Sequence, residues 1–576
     1  MEGKHFEKIV SWRFRLVFGL FLLLAVIILT RIFYISVIKH DDYSAIADRQ
    51  HRLREVLPAR RGSIFFQDRF GNEKIAAFSS DTYDLSVSPK SIKDPLDVAH
   101  KLAVLFNKIP ADYLPKLQKP DDPFEIVEKN VSVEMADAID EAKIPTLSFL
   151  PSTQRIYPGR RLGASVLGFI GYKDNDVTGL YGIEKKFQKE MTGTSGLFEG
   201  DKDASGFWVA LGQRNVQNAV NGSDLVLTVD YNIQERLAAE LSKVKEKWGA
   251  DSGLAVVIEP KTGKILALAT DPDFDPNEYF KEKNYQVFKN PAVESTYELG
   301  SVMKPVTMAA GMYTGVLNPD TKYEDSGKVK IGSYTIQNFD QQAHGVNTMT
   351  QVLEKSLNTG AVFAGRLVGK ENFKKYISGF GFGSLLGTDL PGEVPGNISN
   401  LNFNRDIDYA TASFGQGIAA TPLQMASAMG AIANNGKLMR PYIVEKIRNP
   451  DGEEAVTTPE VIRQAIRPET SETLSKMLVS VVRNGFEGHA IIKGYFIAAK
   501  TGTAQISSND RKGYTGEFIH TFIGYAPAFN PRFLIYVQLN KPRGNIFAAN
   551  TLTTTFHTLT EYLLNYFEVP PDEPLK

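Results

Sequence analysis

The stretch Glu298-Leu299-Gly300-Ser301-Val302-Met303-Lys304-Pro305 decides how the rest of the sequence is interpreted. Ser301 and Lys304 are three positions apart, so on a helix they share a face about one turn apart. Inside a helix the ring of Pro305 would clash with the carbonyl of Ser301, which predicts that the helix begins close to this serine. A serine at a helix N-terminus meets free N–H groups, and a desolvated lysine beside it can accept its proton. The stretch predicts a nucleophile and its base.

The Ser-x-x-Lys pattern also occurs at Ser36 to Lys39 and at Ser242 to Lys245. The first copy ends an apolar run and the second lies in a charged helical stretch, so we expect neither to be catalytic. A single match of this kind is more often a solvated or packing pair. The assignment at Ser301 therefore depends on the motifs that lie downstream.

Length and composition bound the fold and exclude several functions. With 576 residues, 43% apolar and 23% charged, the chain has ordinary globular composition and is long enough for two or more domains. The net charge of −1 gives no field that favours nucleic acid. The absence of cysteine excludes disulfides and thiolate metal sites, and the 8 histidines lack metal-ligand spacing, so no metal site is predicted.

An apolar run from Leu16 to Ile38, broken by Arg31, predicts a single membrane-spanning helix. As a helix the run spans about 35 Å, which is enough to cross a bilayer, although a buried core helix is the alternative. No small-x-small cleavage site follows, so we expect an uncleaved signal-anchor. We predict a cytoplasmic tail over residues 1–13, a transmembrane segment over 14–38 and export of the remaining chain.

Residues 39–222 show short strands and helices without a convincing catalytic pair, which predicts a scaffold or docking module. Asp68-Arg69-Phe70-Gly71-Asn72 reads as a turn between strands. Helices are predicted over Leu96–Phe106 and Val133–Ala142. The glycines around Gly168 do not fit a dinucleotide-binding motif.

The sequence pattern changes near residue 223, where we predict the start of an α/β domain. Asp224 to Asp230 is typical of a strand, and an amphipathic helix follows to about Trp248. Leu254–Glu259 and Lys264–Ala269 then predict an antiparallel hairpin, closed by a turn that contains Lys261-Thr262-Gly263.

Ser356-Leu357-Asn358 is the first motif downstream of Ser301. In a loop between helices, Ser356 could relay a proton while the Asn358 amide orients a peptide group of the substrate. An asparagine near a helix end is the alternative interpretation.

Lys500-Thr501-Gly502-Thr503 is the second downstream motif, and a short strand over Phe496–Ala499 is predicted to enter it. Gly502 permits the close approach of an extended peptide to the strand edge. Lys500 and the threonine hydroxyls suit a substrate carboxylate. Lys261-Thr262-Gly263 has the same letters, but it precedes Ser301 and forms a hairpin turn.

Ser-x-x-Lys, Ser-x-Asn and Lys-Thr-Gly, in this order, resemble the signature of penicillin-binding proteins and serine β-lactamases. From the membrane helix to about residue 560 the chain is similar to class B penicillin-binding proteins, and His520 to Pro527 resembles their division-specific, FtsI-type branch. The other motifs that carry the resemblance are Arg61-Gly62-Ser63-Ile64, Asp68-Arg69, Arg155 to Pro158, Gly182-Ile183-Glu184, Phe414 to Gly417, Thr421 to Gln424 and Ala433 to Gly436.

The sequence departs from the family pattern at a few places. Leu357 stands where class A β-lactamases have an acid, which excludes a role for an acid there. Phe66 and Gln67 are two extra residues in the first motif, and we expect them to alter its loop. No glycosyltransferase-like domain precedes the catalytic motifs, which argues against a bifunctional class A enzyme. Residues 566–576, which contain Pro570 to Pro574, are predicted to be a frayed tail.

The resemblance implies a multidomain fold with a single N-terminal transmembrane helix. An α+β pedestal module, similar to a dimerisation module, is implied over 39–222. An α/β penicillin-binding transpeptidase domain with an antiparallel sheet flanked by helices is implied over 223–565. The implied function is that of a peptidoglycan D,D-transpeptidase, which cross-links stem peptides during septal cell-wall synthesis and is inhibited by β-lactams. No metal or organic cofactor is implied.

The resemblance also implies a role for each site residue. Ser301 attacks the bond between two terminal D-alanines, and Lys304 takes its proton. The backbone N–H groups of Ser301 and Thr503 hold the oxyanion. Ser356 and Lys500 pass a proton to the departing D-alanine, and an amine of a neighbouring stem peptide attacks the acyl-enzyme. The expected catalytic residues are Ser301, Lys304, Ser356, Asn358 and Lys500, and the expected substrate-binding or oxyanion residues are Thr501, Gly502 and Thr503.

The partners implied by the resemblance are donor and acceptor stem peptides, β-lactams, the lipid bilayer, a polytopic glycan polymerase of FtsW type and other division proteins. Arg31 is expected to face protein rather than lipid. The expected location is the bacterial cytoplasmic membrane, with the catalytic domain on its outer face. An elongation-type transpeptidase, a D,D-carboxypeptidase or β-lactamase-like hydrolase, and a non-catalytic septal scaffold or antibiotic sensor are the alternatives.

Overall fold

The computed structural model describes residues 3–44, 52–144, 146–174, 176–201, 214–508 and 513–574. The chain divides into two compact units. One unit consists of Met1–Ala59 and Gly193–Asn221, and the other consists of Arg60–Thr192 and Gly222–Lys576. All of the predicted catalytic residues lie in the second unit.

The helices and strands are as follows. In the first 222 residues the helices are α1 (Gly3–Phe33), α2 (Pro95–Phe106), α3 (Leu114–Leu117), α4 (Val133–Glu141), α5 (Ala164–Leu167), α6 (Gly182–Lys186) and α7 (Gln188–Thr192). The strands in this part are β1 (Arg52–Leu57), β2 (Ile64–Gln67), β3 (Glu73–Val87), β4 (Glu125–Val131), β5 (Leu147–Ile156), β6 (Ile170–Lys173), β7 (Asp176–Gly179), β8 (Gly196–Asp201) and β9 (Arg214–Gln217).

After residue 222 the helices are α8 (Tyr231–Trp248), α9 (Pro291–Glu294), α10 (Lys304–Tyr313), α11 (Met349–Glu354), α12 (Asn358–Val368), α13 (Lys370–Gly379), α14 (Asp406–Ala412), α15 (Pro422–Ala433), α16 (Pro468–Asn484) and α17 (Ala548–Tyr566). The strands are β10 (Asp224–Asp230), β11 (Ser252–Ile258), β12 (Ile265–Asp271), β13 (Tyr297–Glu298), β14 (Lys322–Asp325), β15 (Lys328–Ile331), β16 (Tyr334–Gln337), β17 (Gly345–Thr348), β18 (Ala419–Ala420), β19 (Lys437–Met439), β20 (Val444–Arg448), β21 (Glu454–Val456), β22 (Val461–Gln464), β23 (Ala498–Ser507), β24 (Tyr514–Ala526) and β25 (Phe533–Asn540).

The first unit contains the apolar helix and a small sheet. Helix α1 continues into a π-helical turn over Tyr34–Ile38, and Trp12–Ile38 is long and apolar enough to cross a membrane. None of this span is buried inside the protein, so its side chains are available to lipid or to another helix. The span therefore fits a single-pass membrane anchor. Strands β1, β8 and β9 form an antiparallel sheet in which β8 is central.

In the second unit, a mixed sheet joins strands that are distant in the sequence. Its strand order is β21-β20-β10-β2-β3-β4, and β5 also pairs with β3. Strand β10 runs parallel to β2 and antiparallel to β20. The two extra residues of the first motif extend β2 rather than its loop, which corrects the expectation made for them. Phe66 is buried, and the Gln67 amide donates to the Leu227 carbonyl at 2.7 Å.

A fully buried carboxylate, that of Glu184, connects its own motif with those that contain Arg61 and Arg155. Arg61 Nε and Arg155 Nε donate to its two oxygens at 2.6 and 2.7 Å, and the Tyr157 hydroxyl donates at 3.1 Å. Burial alone would raise the pKa of Glu184, but the two guanidinium groups outweigh it and lower that pKa. Arg155 also donates to the Gly62 carbonyl at 2.8 Å, so the ion pairs of Glu184 also hold the backbone at Gly62.

The catalytic part of the second unit is built on an antiparallel sheet with the order β12-β11-β25-β24-β23, as predicted. Alternate residues of its strands face opposite sides. One face packs against α8 and α17, through side chains such as Leu237 and Phe556. The other face packs against α10, α15 and α16, through side chains such as Val306 and Met429. The predicted hairpin of β11 and β12 and the predicted helices α2, α4 and α8 are confirmed.

Two further local predictions were wrong. The strand predicted over Phe496–Ala499 begins at Ala498 and runs to Ser507, so the Lys500 motif lies inside the strand. Pairing with β24 along this whole stretch stabilises it. The C-terminal segment is not frayed at its described residues, because Tyr495 donates its hydroxyl to the Val569 carbonyl at 2.7 Å and the Phe496 N–H donates to Asp572 at 2.8 Å.

We predict that Glu184→Gln lowers the free energy of unfolding by about 3–5 kcal/mol, because it leaves two buried guanidinium groups uncompensated. The stabilisation by Glu184 is present above its ordinary pKa of about 4.5 and is lost as the pH falls through the lowered pKa. Denaturant unfolding of the purified chain at several pH values measures both effects. The exposed Glu190→Gln is the control, and equal midpoints for the two variants would contradict the prediction.

Candidate active site

Ser301 lies in a 3-10 turn, Gly300–Met303, that leads directly into α10. Pro305 is the second residue of α10, so the helix begins next to the serine, as predicted. The neighbours Val302 and Met303 are fully buried, whereas Ser301 is partly exposed. Among the described residues, the Ser301 hydroxyl has no hydrogen-bond partner. It is therefore open to a substrate.

Two glycines hold the Ser301 turn between neighbouring segments. The Gly300 N–H donates to the Gly415 carbonyl at 3.0 Å. Gly415 has a φ of +83°, and a Cβ there would lie 2.2 Å from the Gly300 oxygen. On the other side, a Cβ on Gly502 would lie 3.0 Å from the Val302 side chain. Gly415 thus needs to be glycine, whereas a side chain at Gly502 would require Val302, next to the serine, to move by a few tenths of an ångström.

Ser356 lies in the loop between α11 and α12, as predicted, whereas Asn358 is the first residue of α12. Ser356 has a φ of +55°, which turns the chain sharply between the helices. Leu357 is 1% exposed and anchors the loop in the core. The side chains on either side of Leu357 can therefore face the site, which gives this middle residue a packing role.

The amine of Lys304 is buried and bound by the Ser356 loop. It donates to Asn358 Oδ1 at 2.9 Å and to Ser356 Oγ at 3.2 Å, and it also bonds the Ser356 carbonyl. Burial, and secondly the charge of Lys500, lower the pKa of Lys304 well below its ordinary value. A lysine in this state can be a neutral base at physiological pH.

A second buried amine, that of Lys500 on β23, also contacts Ser356. Its Nζ lies 3.0 Å from Ser356 Oγ and donates to the Thr501 carbonyl at 3.1 Å. Burial lowers the pKa of Lys500 to about 7. The Ser356 hydroxyl is thus shared by two amines. Because two positive charges in this buried site would cost free energy, the arrangement is suited to proton transfer.

Strand β23 is the edge strand of its sheet, so half of its backbone groups face away from β24. Thr503 is partly buried and its hydroxyl accepts a hydrogen bond from the Ala548 N–H at 3.1 Å. A Cβ on Gly300 would lie 3.0 Å from the Thr503 carbonyl oxygen, so the strand passes beside the Ser301 turn. The eight predicted site residues therefore come together, on the Ser301 turn, the Ser356 loop and β23.

Two residues that the sequence did not single out also contact this region. Glu298, three positions before Ser301, accepts from the Gly417 N–H at 3.1 Å and from the Tyr514 hydroxyl at 3.0 Å. Burial raises the pKa of Glu298. The position of Glu298, three residues before Ser301, was the sequence signal that could have identified it, whereas nothing in the sequence marks Tyr514.

In the part of the chain that the structure describes, no three His, Asp or Glu side chains are grouped as a metal site requires.

Comparison with protein families gives two matches. Residues 253–557 match the penicillin binding protein transpeptidase domain, and residues 56–227 match the penicillin-binding protein dimerisation domain.

Individual relatives are similar over nearly the whole chain. Penicillin-binding protein PbpB of Mycolicibacterium smegmatis is 32% identical, over 98% of this chain and 93% of that protein. Peptidoglycan D,D-transpeptidase FtsI of Escherichia coli K12 is 29% identical over the same two shares, 98% and 93%. Among solved structures, penicillin binding protein 3 of Mycobacterium tuberculosis, complexed with aztreonam, superposes with a TM-score of 0.69 at 28% identity. That match covers 90% of this chain and 99% of the other.

We predict that Lys500→Met raises stability, most of all at neutral pH and below. Because the folded-state pKa is about 7 and the ordinary value is 10.5, the unfolded state binds more protons between these values, and stability rises with pH. Lys500 contributes at most about 1.4 kcal/mol per pH unit to this slope, and the variant loses that contribution but keeps the one from Lys304, whose pKa is also lowered. Unfolding midpoints from pH 6 to about 10 measure it.

The matched control for this prediction is Lys261→Met, in the hairpin turn with the same three letters. Its amine is exposed and bonds Asn530. This variant should keep the pH slope of the parent. Equal slopes for the parent and Lys500→Met would contradict the prediction.

Proposed function

The chain belongs to the class B penicillin-binding proteins and is a peptidoglycan D,D-transpeptidase, and we propose that it acts through a covalent acyl-enzyme on Ser301. The observation that carries this proposal is the pair of buried amines that meet at the Ser356 hydroxyl, that of Lys500 and that of Lys304, which lies three residues after Ser301. The proposed catalytic residues are Ser301, Lys304, Ser356, Asn358 and Lys500, with Thr501, Gly502 and Thr503 as the binding segment.

Acylation begins with attack of Ser301 Oγ on the carbonyl carbon of the penultimate D-alanine. Lys304, neutral because it is buried, accepts the hydroxyl proton. The bond between carbon and Oγ forms, and the amide bond to the terminal D-alanine breaks. Ser356 delivers a proton to the departing nitrogen and regains one from Lys304, so the proton of Ser301 leaves with the D-alanine. Lys500 stabilises the Ser356 oxygen during this relay.

The edge of β23 is proposed to bind the donor stem peptide as an added strand. The backbone N–H groups of Ser301 and Thr503 would hold the oxyanion, with Gly502 allowing the substrate to approach closely. The hydroxyls of Thr501 and Thr503, on the same strand as Lys500, would bind the terminal carboxylate. The amine of an acceptor stem peptide then attacks the acyl carbon and displaces Ser301, which regains its proton.

We propose a septal role, with residues 39–222 as a pedestal module and 223–565 as the catalytic domain on the outer face of the membrane. The similarity of His520–Pro527 to division-specific relatives supports this role. β-Lactams would acylate Ser301 as mimics of the D-alanyl-D-alanine end, in keeping with the aztreonam complex of the Mycobacterium tuberculosis relative.

We predict that a fluorescent penicillin forms a long-lived covalent adduct with the chain and none with Ser301→Ala. Intact mass and denaturing gels of the purified protein measure the adduct. Ser242→Ala, in the helical copy of Ser-x-x-Lys, should label like the parent. A transient adduct with release of hydrolysed drug would favour a hydrolase, and a folded parent that is never labelled would favour a non-catalytic scaffold.

We also predict that Arg31→Leu reduces co-purification of a glycan polymerase of FtsW type. Arg31 lies within the exposed apolar span, where only the Tyr34 ring, 5.6 Å away, accompanies it among the described residues. A charged residue at such a position favours a protein partner over lipid. Thr30→Leu, which adds apolar bulk one position away, is the control. Unchanged recovery with Arg31→Leu would contradict the prediction.

A further inference from the structure

Helix α17 touches the active site at its N-terminus. Phe547, the residue that precedes it, supplies no side-chain cap to the first N–H groups of the helix. Instead, the Thr503 hydroxyl accepts from the Ala548 N–H at 3.1 Å. A hydrogen bond of 2.9 Å also joins Thr551 in the first turn to His520, the residue that pairs with Thr503 across the sheet. The start of α17 is therefore tied to Thr503 of the substrate-binding segment and to the residue of β24 that pairs with it.

The hydrogen bond from Ala548 also orients the Thr503 hydroxyl. A hydroxyl has one proton to donate and two lone pairs that can accept. With one lone pair engaged by the helix N–H, the proton of Thr503 is left to donate elsewhere, as binding of a carboxylate requires. A displacement of the helix start would change the direction of this donor.

The other end of α17 is held by the turn between β2 and β3. Arg69 in this turn donates through its guanidinium to the Tyr566 carbonyl and to Glu568. The Arg69 N–H donates to the Tyr566 hydroxyl at 3.3 Å, and this hydroxyl donates to Asp230 at 2.8 Å. Asp230 caps the N-terminus of α8, so one tyrosine joins the turn and two helices.

The turn that carries Arg69 is itself well fixed. The Asp68 carboxylate accepts from the N–H groups of Phe70 and Asn72 at 2.8 and 2.9 Å, and from the Asn72 amide at 2.8 Å. The extended β2 brings this turn alongside the end of β10, where Gln67 pairs with Asp230. Arg69 is therefore held from the side of the pedestal module as well as from the side of α17.

Between its two ends, α17 is an uninterrupted, rigid helix. Its 19 residues contain no glycine or proline, and as a helix they span about 28 Å. Phe556 stacks on Phe522 of β24 with ring centroids 4.3 Å apart. A Cβ on Gly524 would lie 2.7 Å from the Phe556 ring, so the helix lies tightly on the sheet. A rigid helix of this kind is an element through which a shift at one end can reach the other end.

We propose that Arg69 is a positioning residue for the reaction at Ser301, acting through α17 to fix the Thr503 hydroxyl. The inference rests on the proposed function of Ser301 and Thr503. It goes beyond that function by making a residue of the pedestal module part of substrate binding, although Arg69 touches neither the substrate nor the reacting atoms.

The test is the kinetics of acylation by fluorescent penicillin, with the full chain in detergent micelles. Arg69→Ala should raise the penicillin concentration that gives half-maximal acylation rate by about tenfold, because a misdirected donor weakens carboxylate binding. The maximal rate should change less. A purely structural effect would instead reduce the fraction of protein that can be labelled. Arg69→Lys, which keeps the charge opposite Glu568, should recover part of the loss.

The matched control is Arg448→Ala. Arg448 also ties the β2–β3 hairpin to the catalytic part, through Glu73 at 2.8 Å and Glu454 at 3.0 Å, but it does not bond α17. The free energy of unfolding of this variant should fall about as much as that of Arg69→Ala. Its half-maximal penicillin concentration and its maximal acylation rate should stay within about twofold of those of the parent. If Arg69→Ala behaves like Arg448→Ala, the inference is wrong.

A double-mutant cycle with Thr503→Ala completes the test. Without the hydroxyl, Arg69→Ala should add less than about a twofold further loss, because the two residues act on the same contact. A full tenfold loss in both backgrounds would overturn the inference. Failure of the unsubstituted chain to be acylated would overturn the proposed function itself, and the two results are distinguishable because the parent is measured first.

Discussion

Two lysine amines kept away from water around one serine hydroxyl are the constraint on which the rest of the catalytic domain depends. Each amine loses part of its proton affinity by burial, and neither would keep its lowered pKa if water entered. Three separate elements must therefore seal the site: the start of α10, the loop before α12 and the edge strand β23. The glycines at 415 and 502 and the buried Leu357 can be understood as packing that this seal requires.

The order and spacing of the motifs made most of the site predictable. Ser301, Lys304, Ser356 and Lys500 are restricted to a few residue types by the chemistry they would perform, and such restrictions are visible in one sequence. The strands and helices with clear periodicity were predictable for a similar reason. The contacts of Glu298 with Tyr514, and of Arg69 with Tyr566, were not, because they join distant segments whose residue types are common on any surface.

The wrong predictions share one physical cause, which is that tertiary pairing overrides local pattern. Strand β23 continues through a polar stretch because β24 pairs with it, and the proline-containing C-terminal segment is ordered because Tyr495 and Phe496 bond it. The Glu184 bridges act in the same way on the pedestal module. They hold its motifs by ionic contacts whose partners are more than a hundred residues apart in the case of Arg61.

The order of strands in the catalytic sheet has a consequence for how the chain is made. Strand β11 pairs with β25, so that Ser252 meets Asn540, and β25 in turn must be present before β24 and β23 can join. During synthesis the edge of β11 in the apolar hairpin of β11 and β12 stays unpaired until β25, which follows β11 by more than 270 residues, has been made. Such long-range pairing folds slowly and exposes edges that aggregate or are cleaved. A chain that terminates before β25 would lack the centre of the sheet, which makes synthesis of β25 the checkpoint for productive folding.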